Sequence, residues 1–87
     1  MSNPGVREVS ALEGFRLQLD FENGERRIFD VTPILGKGVF ARLRDRALFR
    51  AARVVAGSIE WPDEIDLSYD TLYLGSVPIS TSGAHAA

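Results

Sequence analysis

A chain of 87 residues, 45% of them hydrophobic and 25% charged, has the ordinary make-up of one small globular domain. It has no cysteine, which removes disulfides and thiolate metal sites, and no apolar run near the ~18 residues that a membrane-spanning helix needs. Its net charge of −2 conceals a sharp division: residues 37–53 hold six cations against Asp45 alone, whereas residues 54–87 hold five acids and no Lys or Arg.

Residues 1–5 read as a loose end. The opening MSNPGVREV has no apolar signal region, so export is not expected and the expected location is cytoplasmic. Val6 to Leu12 is strand-like, and Glu13-Gly14 marks a turn into the stretch that organises the chain, FRLQLDFENGERRIFDV. Phe15, Leu17, Leu19 and Phe21 alternate with Arg16, Gln18 and Asp20, the period of a half-buried strand. Asn23-Gly24 is the hairpin signal. A two-residue loop would pair Phe21 with Arg26 and turn Phe29 and Val31 away from Leu17 and Leu19. A three-residue loop, Glu22-Asn23-Gly24, pairs Phe21 with Glu25 and keeps every odd-numbered apolar residue on one face. Burial favours the second register, with Gly24 left-handed and Asp20 opposite Arg26 on the wet face.

Thr32-Pro33 reads as a helix start, because proline suits the first helical position. Gly36 and Gly38 stop it. Val39, Phe40, Leu43, Ala47, Leu48 and Phe49 recur at roughly helical spacing, and Asp45 is a candidate N-cap. The pattern does not choose between one helix and two over residues 39–52. Arg53 to Ala56 and Ser58 to Trp61 read as a strand pair joined at Gly57. Trp61-Pro62-Asp63-Glu64 leaves the strand, since proline cannot donate to a ladder. Ser68 caps a short helix from Tyr69 to Leu74, which Gly75 ends. SVPISTSGAHAA has little to pack and reads as a disordered tail. The expected class is therefore α+β: a small antiparallel sheet, made of a β-meander plus a C-terminal strand pair, covered by short helices. Residues 1–75 form the domain and 76–87 the tail.

Few residues carry chemistry. His85, the only histidine, falls in the tail, and no ligand spacing accompanies it, so no metal, cofactor or catalytic residue is expected. Glu60, Asp63, Glu64 and Asp66 surround Trp61 and Pro62; a solvated turn around a core tryptophan accounts for them better than an acid–base pair. Asp30 reads as a cap for nearby backbone N–H groups. On a single helix, Arg42, Arg46 and Arg50 would form one stripe with Arg53 close by, a surface able to meet phosphates. Against that stand a pI of about 5.3 and the lack of interleaved stacking aromatics.

Taken together, FENGERRIFDV with Pro33, GVFARLRDRALF and GSIEWPDEIDLSYDTLY resemble the small bacterial domain-of-unknown-function family 2442, over about residues 4–74. The resemblance implies a compact α+β domain. It also implies a stand-alone partner, antitoxin-like, for a second small protein encoded by a neighbouring gene, and it brings no catalytic residue. Arg46 stands where the family often has proline, and Glu64 where it often has glycine, so a left-handed turn at Glu64 would be strained. The expected function is a non-enzymatic protein-binding module using Trp61, Pro62 and Asp63 or Arg42, Arg46, Arg50 and Arg53. A nucleic-acid or transcription accessory built on the arginines is the second reading. A small-ligand enzyme using Asp30, Glu60, Asp63 or Asp66 is the third. A homo-oligomer is expected of so small a core, through a sheet edge or the unlike charge patches.

Overall fold

A computed structural model describes residues 3–79. Strands β1 (Val6–Leu12), β2 (Arg16–Phe21) and β3 (Arg26–Asp30) form an antiparallel meander. The register is the one that parity demands: Leu17 pairs with Phe29 and Asp20 with Arg26. Phe21 donates its N–H to the Glu25 carbonyl at 2.8 Å across a three-residue loop, and Gly24 has φ +92°. Leu17, Leu19, Phe21, Phe29 and Val31 are all buried on one side. Asp20 and Arg26 meet on the other at 2.7 Å.

One irregularity is a bulge between Val6 and Glu8 in β1. The extra residue restores phase, so Val6, opposite Phe21, shares the inner face with Val9, opposite Leu19. This explains an apolar spacing of three in a strand whose natural period is two.

A 3₁₀ turn, Thr32–Ile34, carries Pro33 at its start. Residues 39–52 contain two helical pieces. A 3₁₀ segment, Gly38–Arg44, ends at Asp45, and α1 (Arg46–Phe49) begins there. Asp45 is extended, and its carboxylate accepts the Ala47 N–H at 3.0 Å. Leu35, Leu43 and Phe49 join the buried side of the meander in one core.

The second sheet contains β4 (Arg53–Val55), β5 (Ser58–Trp61) and β6 (Ile65–Leu67), in that order. Ala56 and Gly57 both have positive φ, as a tight two-residue hairpin requires. The two sheets meet where Val6 donates its N–H to the Gly57 carbonyl at 2.8 Å. Ser68 caps α2 (Tyr69–Gly75), accepting the Thr71 N–H at 3.3 Å. Among the described residues, no helix is long and apolar enough to cross a membrane.

The expected tail starts too early. Val77–Pro78 form β7, which pairs with β3 and extends the first sheet to the order β1-β2-β3-β7. Ser76 is buried. The cause is Arg27, whose guanidinium donates to the Ser76 hydroxyl at 2.7 Å and to the Ser76 carbonyl at 2.9 Å, lies 4.5 Å over the Tyr73 ring and pairs with Glu25 at 2.8 Å. The Tyr73 hydroxyl donates to the same Glu25 carboxylate at 2.8 Å. This brace ties α2 and β7 to the hairpin. Residues 80–87, including His85, lie outside the described residues.

Two outcomes follow from the packing. A Cβ on Gly75 would stand 2.9 Å from the buried Phe29 ring. Gly75→Ala is therefore expected to lower the thermal midpoint, although alanine is the better helix former by about 1 kcal/mol; a raised midpoint in a circular-dichroism melt would contradict this. The Tyr73 hydroxyl first, and Arg27 second, hold the Glu25 carboxyl below its usual range. A lowered folded pKa contributes stability that is present above the unfolded value of 4.5 and is lost as pH falls through the folded one. Midpoints measured through the acid range should decline more steeply for the wild-type chain than for Glu25→Gln.

Candidate functional site

The turn between β1 and β2 and the short helix α1 face each other across a cleft of about 210 Å³, lined by Leu12, Glu13, Gly14, Phe15, Arg46, Phe49 and Arg50. The turn is strained. Gly14 has φ +76° and Phe15 φ +58°, a conformation that an aromatic residue rarely adopts. Three bonds hold it: the Phe15 carbonyl accepts the Val31 N–H at 2.9 Å, the Gly14 carbonyl accepts the Thr32 hydroxyl at 3.3 Å, and the Glu13 carbonyl accepts Arg16 Nε at 3.2 Å. The Phe15 ring meets Phe49 edge-on at 5.3 Å. Behind it, Phe49 stacks on Trp61 at 6.4 Å, and the Trp61 indole N–H donates to the Phe49 carbonyl at 2.9 Å. The cleft thus has a fixed apolar floor.

Arg46, the first residue of α1, and Arg50, its C-cap, are one helical turn apart, so they share a face. Both are exposed, and no described carboxylate comes within salt-bridge distance of either. Lys37, Arg7, Arg16 and Arg44 are in the same position; what sets Arg46 and Arg50 apart is the cleft they line together with Leu12, Phe15 and Phe49.

The single arginine stripe does not form. The break at Asp45 separates Arg42 from the other two, and Arg42 instead reaches Asp63 at 3.4 Å. Arg53 sits on β4, 3.9 Å from Glu60. Both pairs are well exposed and contribute under about 1 kcal/mol each. Trp61 is 2% exposed and belongs to the core, so it does not present itself to a partner, while Pro62 and Asp63 are exposed in the β5–β6 turn. Asp63 and Glu64 adopt φ +70° and +62°, so the chain accepts the left-handed turn even without a glycine. Such a conformation costs an L-residue about 1–2 kcal/mol.

The acids do not converge. Asp30 accepts the Thr32 N–H at 2.9 Å in the capping role expected of it, but it is exposed. Glu60 lies between Arg53 and Asp66 in a cross-strand row. Among the described residues, no group of three or more His, Cys, Asp or Glu could hold a metal ion. Sequence reasoning found Arg46 and Arg50 but missed Leu12, Glu13, Phe15 and Phe49 as their neighbours. The only local hint was an aromatic residue directly after a Glu-Gly turn.

A family model, described as protein of unknown function DUF2442, matches residues 6–78. The chain belongs to the DUF2442 family. The match begins at the first residue of β1 and ends at the last of β7, so the late strand lies inside the DUF2442 unit. No curated protein and no solved structure matches the chain.

The burial of Trp61 has a direct check. Iodide should leave its fluorescence almost unquenched in the folded protein and quench it strongly in denaturant. Strong quenching in the native state would return Trp61 to the surface.

Proposed function

We propose that this DUF2442 chain is a non-enzymatic protein-binding module that grips its partner at the cleft between the β1–β2 turn and α1. The observation that carries this reading is Arg46 and Arg50, exposed and without a described acidic partner, flanking a floor of Leu12, Phe15 and Phe49. Apolar anchors beside arginines are what protein interfaces use for affinity. The acids are spent elsewhere, Asp63 on Arg42, Glu60 on Arg53 and Asp30 on the Thr32 N–H, which favours binding over acid–base chemistry. The antitoxin-like role that the sequence resemblance implies is part of this proposal, with the product of a neighbouring gene as the partner. A self-associated state of the free chain belongs to the same reading, with unlike charge patches on one small surface.

The test is co-expression with the neighbouring gene product, followed by size-exclusion chromatography with light scattering. A complex of fixed stoichiometry is expected, lost in the Arg46→Glu, Arg50→Glu double variant while far-ultraviolet circular dichroism stays unchanged. No complex, or one indifferent to both charge reversals, rejects the reading. Tight binding to duplex DNA that weakens steeply with salt would support the nucleic-acid alternative instead.

A further inference from the structure

We infer that the cleft seats one apolar side chain of the partner, with a carboxylate from an adjacent residue held between Arg46 and Arg50. The inference rests on the protein-binding reading and names the chemistry of its ligand: an acidic peptide segment in which leucine or phenylalanine neighbours glutamate or aspartate.

Size is the first argument. A volume of about 210 Å³ falls below the ~300–1,000 Å³ of ordinary small-molecule sites. It suits a single branched or aromatic side chain. The floor is aromatic and aliphatic, and Phe49 is backed by the stacked Trp61, so the seat is formed before anything enters it. The left-handed backbone of Phe15 is held by the Val31 N–H, a strain that keeps its ring against Phe49.

Charge is the second argument. Two guanidinium groups on one helical face can take a carboxylate through paired N–H donors. Glu13 stands on the same rim and selects between kinds of anion. A nucleic-acid backbone would press successive phosphates against Glu13 as well as against the arginines. A segment with one carboxylate beside an apolar residue can satisfy the arginines and leave Glu13 in water. The rim therefore favours an acidic peptide over a polyphosphate chain.

The experiment measures fluorescence anisotropy of a fluorescein-labelled short peptide alternating leucine and glutamate, titrated with the full chain. Comparison peptides carry glutamine for glutamate or alanine for leucine, and a labelled DNA duplex is run beside them. Saturable binding is expected, with Trp61 emission shifting as the seat fills. Either comparison peptide should bind about tenfold more weakly or worse, as truncation of an interface anchor does. Arg46→Glu and Arg50→Glu should each abolish peptide binding, and Arg44→Glu, which does not line the cleft, should not change it. Glu13→Gln should tighten the DNA more than the peptide. Thermal melts of each variant establish that the fold is retained, and the milder Arg46→Ala and Arg50→Ala pair repeats the test. Peptide binding that ignores the arginine changes, that is equal for the glutamine peptide, or that is weaker than DNA binding overturns the inference. Failure of the peptide alongside a partner complex that still depends on Arg46 and Arg50 removes only the single-side-chain seat. Failure of the complex itself removes the protein-binding reading as well.

Discussion

One hydrogen bond organises the second half of this molecule. The Trp61 indole N–H reaches the Phe49 carbonyl from inside the core. The chain after α1 closes its last turn, with the Arg46, Leu48 and Phe49 carbonyls accepting the N–H groups of Arg50, Ala51 and Ala52. Trp61 adds a second, shorter hydrogen bond to the Phe49 carbonyl, and its ring gives Phe49 a surface to lie on. Phe49 in turn supports Phe15, on the far side of the first sheet's opening turn. β5, α1 and the β1–β2 turn are therefore joined by a row of three aromatic rings, Phe49 stacked on Trp61 and met edge-on by Phe15. A four-residue helix has too little internal cooperativity to hold its place unaided, so the position of Arg46 and Arg50 depends on this row.

Much of the fold could be read directly. The hairpin register followed from parity, because a slip of one residue would have exposed either Leu17 and Leu19 or Phe29 and Val31. Asp45 and Ser68 declared themselves as caps because short polar side chains before helical patterns satisfy orphan N–H groups. What escaped the sequence was long-range or irregular. The bulge in β1 shows in the sequence only as the spacing of three between Val6 and Val9, and it takes Phe21 and Leu19 on the partner strand to give that spacing its meaning. Strand β7 looked like tail because its ordering comes from Arg27, far away in the chain, and not from its own composition.

The candidate site was legible by half. Six cations in residues 37–53 marked the right region, but their number said nothing about their grouping. That depended on Asp45 breaking the helix, which sent Arg42 toward Asp63 and left Arg46 and Arg50 together. The apolar half of the cleft comes from residues some thirty positions earlier, and only the packing of Phe15 on Phe49 joins the two. The strained residues Phe15, Asp63 and Glu64 show the same limit. Local preference disfavours their conformations, and tertiary contacts overrule it.

The strand order of the first sheet has a bearing on how the protein comes into being. Its outermost strand, β7, is contributed by the last described residues, while the other three come from the first thirty. On a ribosome, the three strands of the meander emerge before β7, and β3 stays uncovered until Val77 and Pro78 follow. During that interval Ile28 and the unpaired backbone beside it form an open template to which another nascent chain could add a strand. Synthesis order thus makes the late arrival of Val77 and Pro78 the step that ends the period of greatest risk of misassembly.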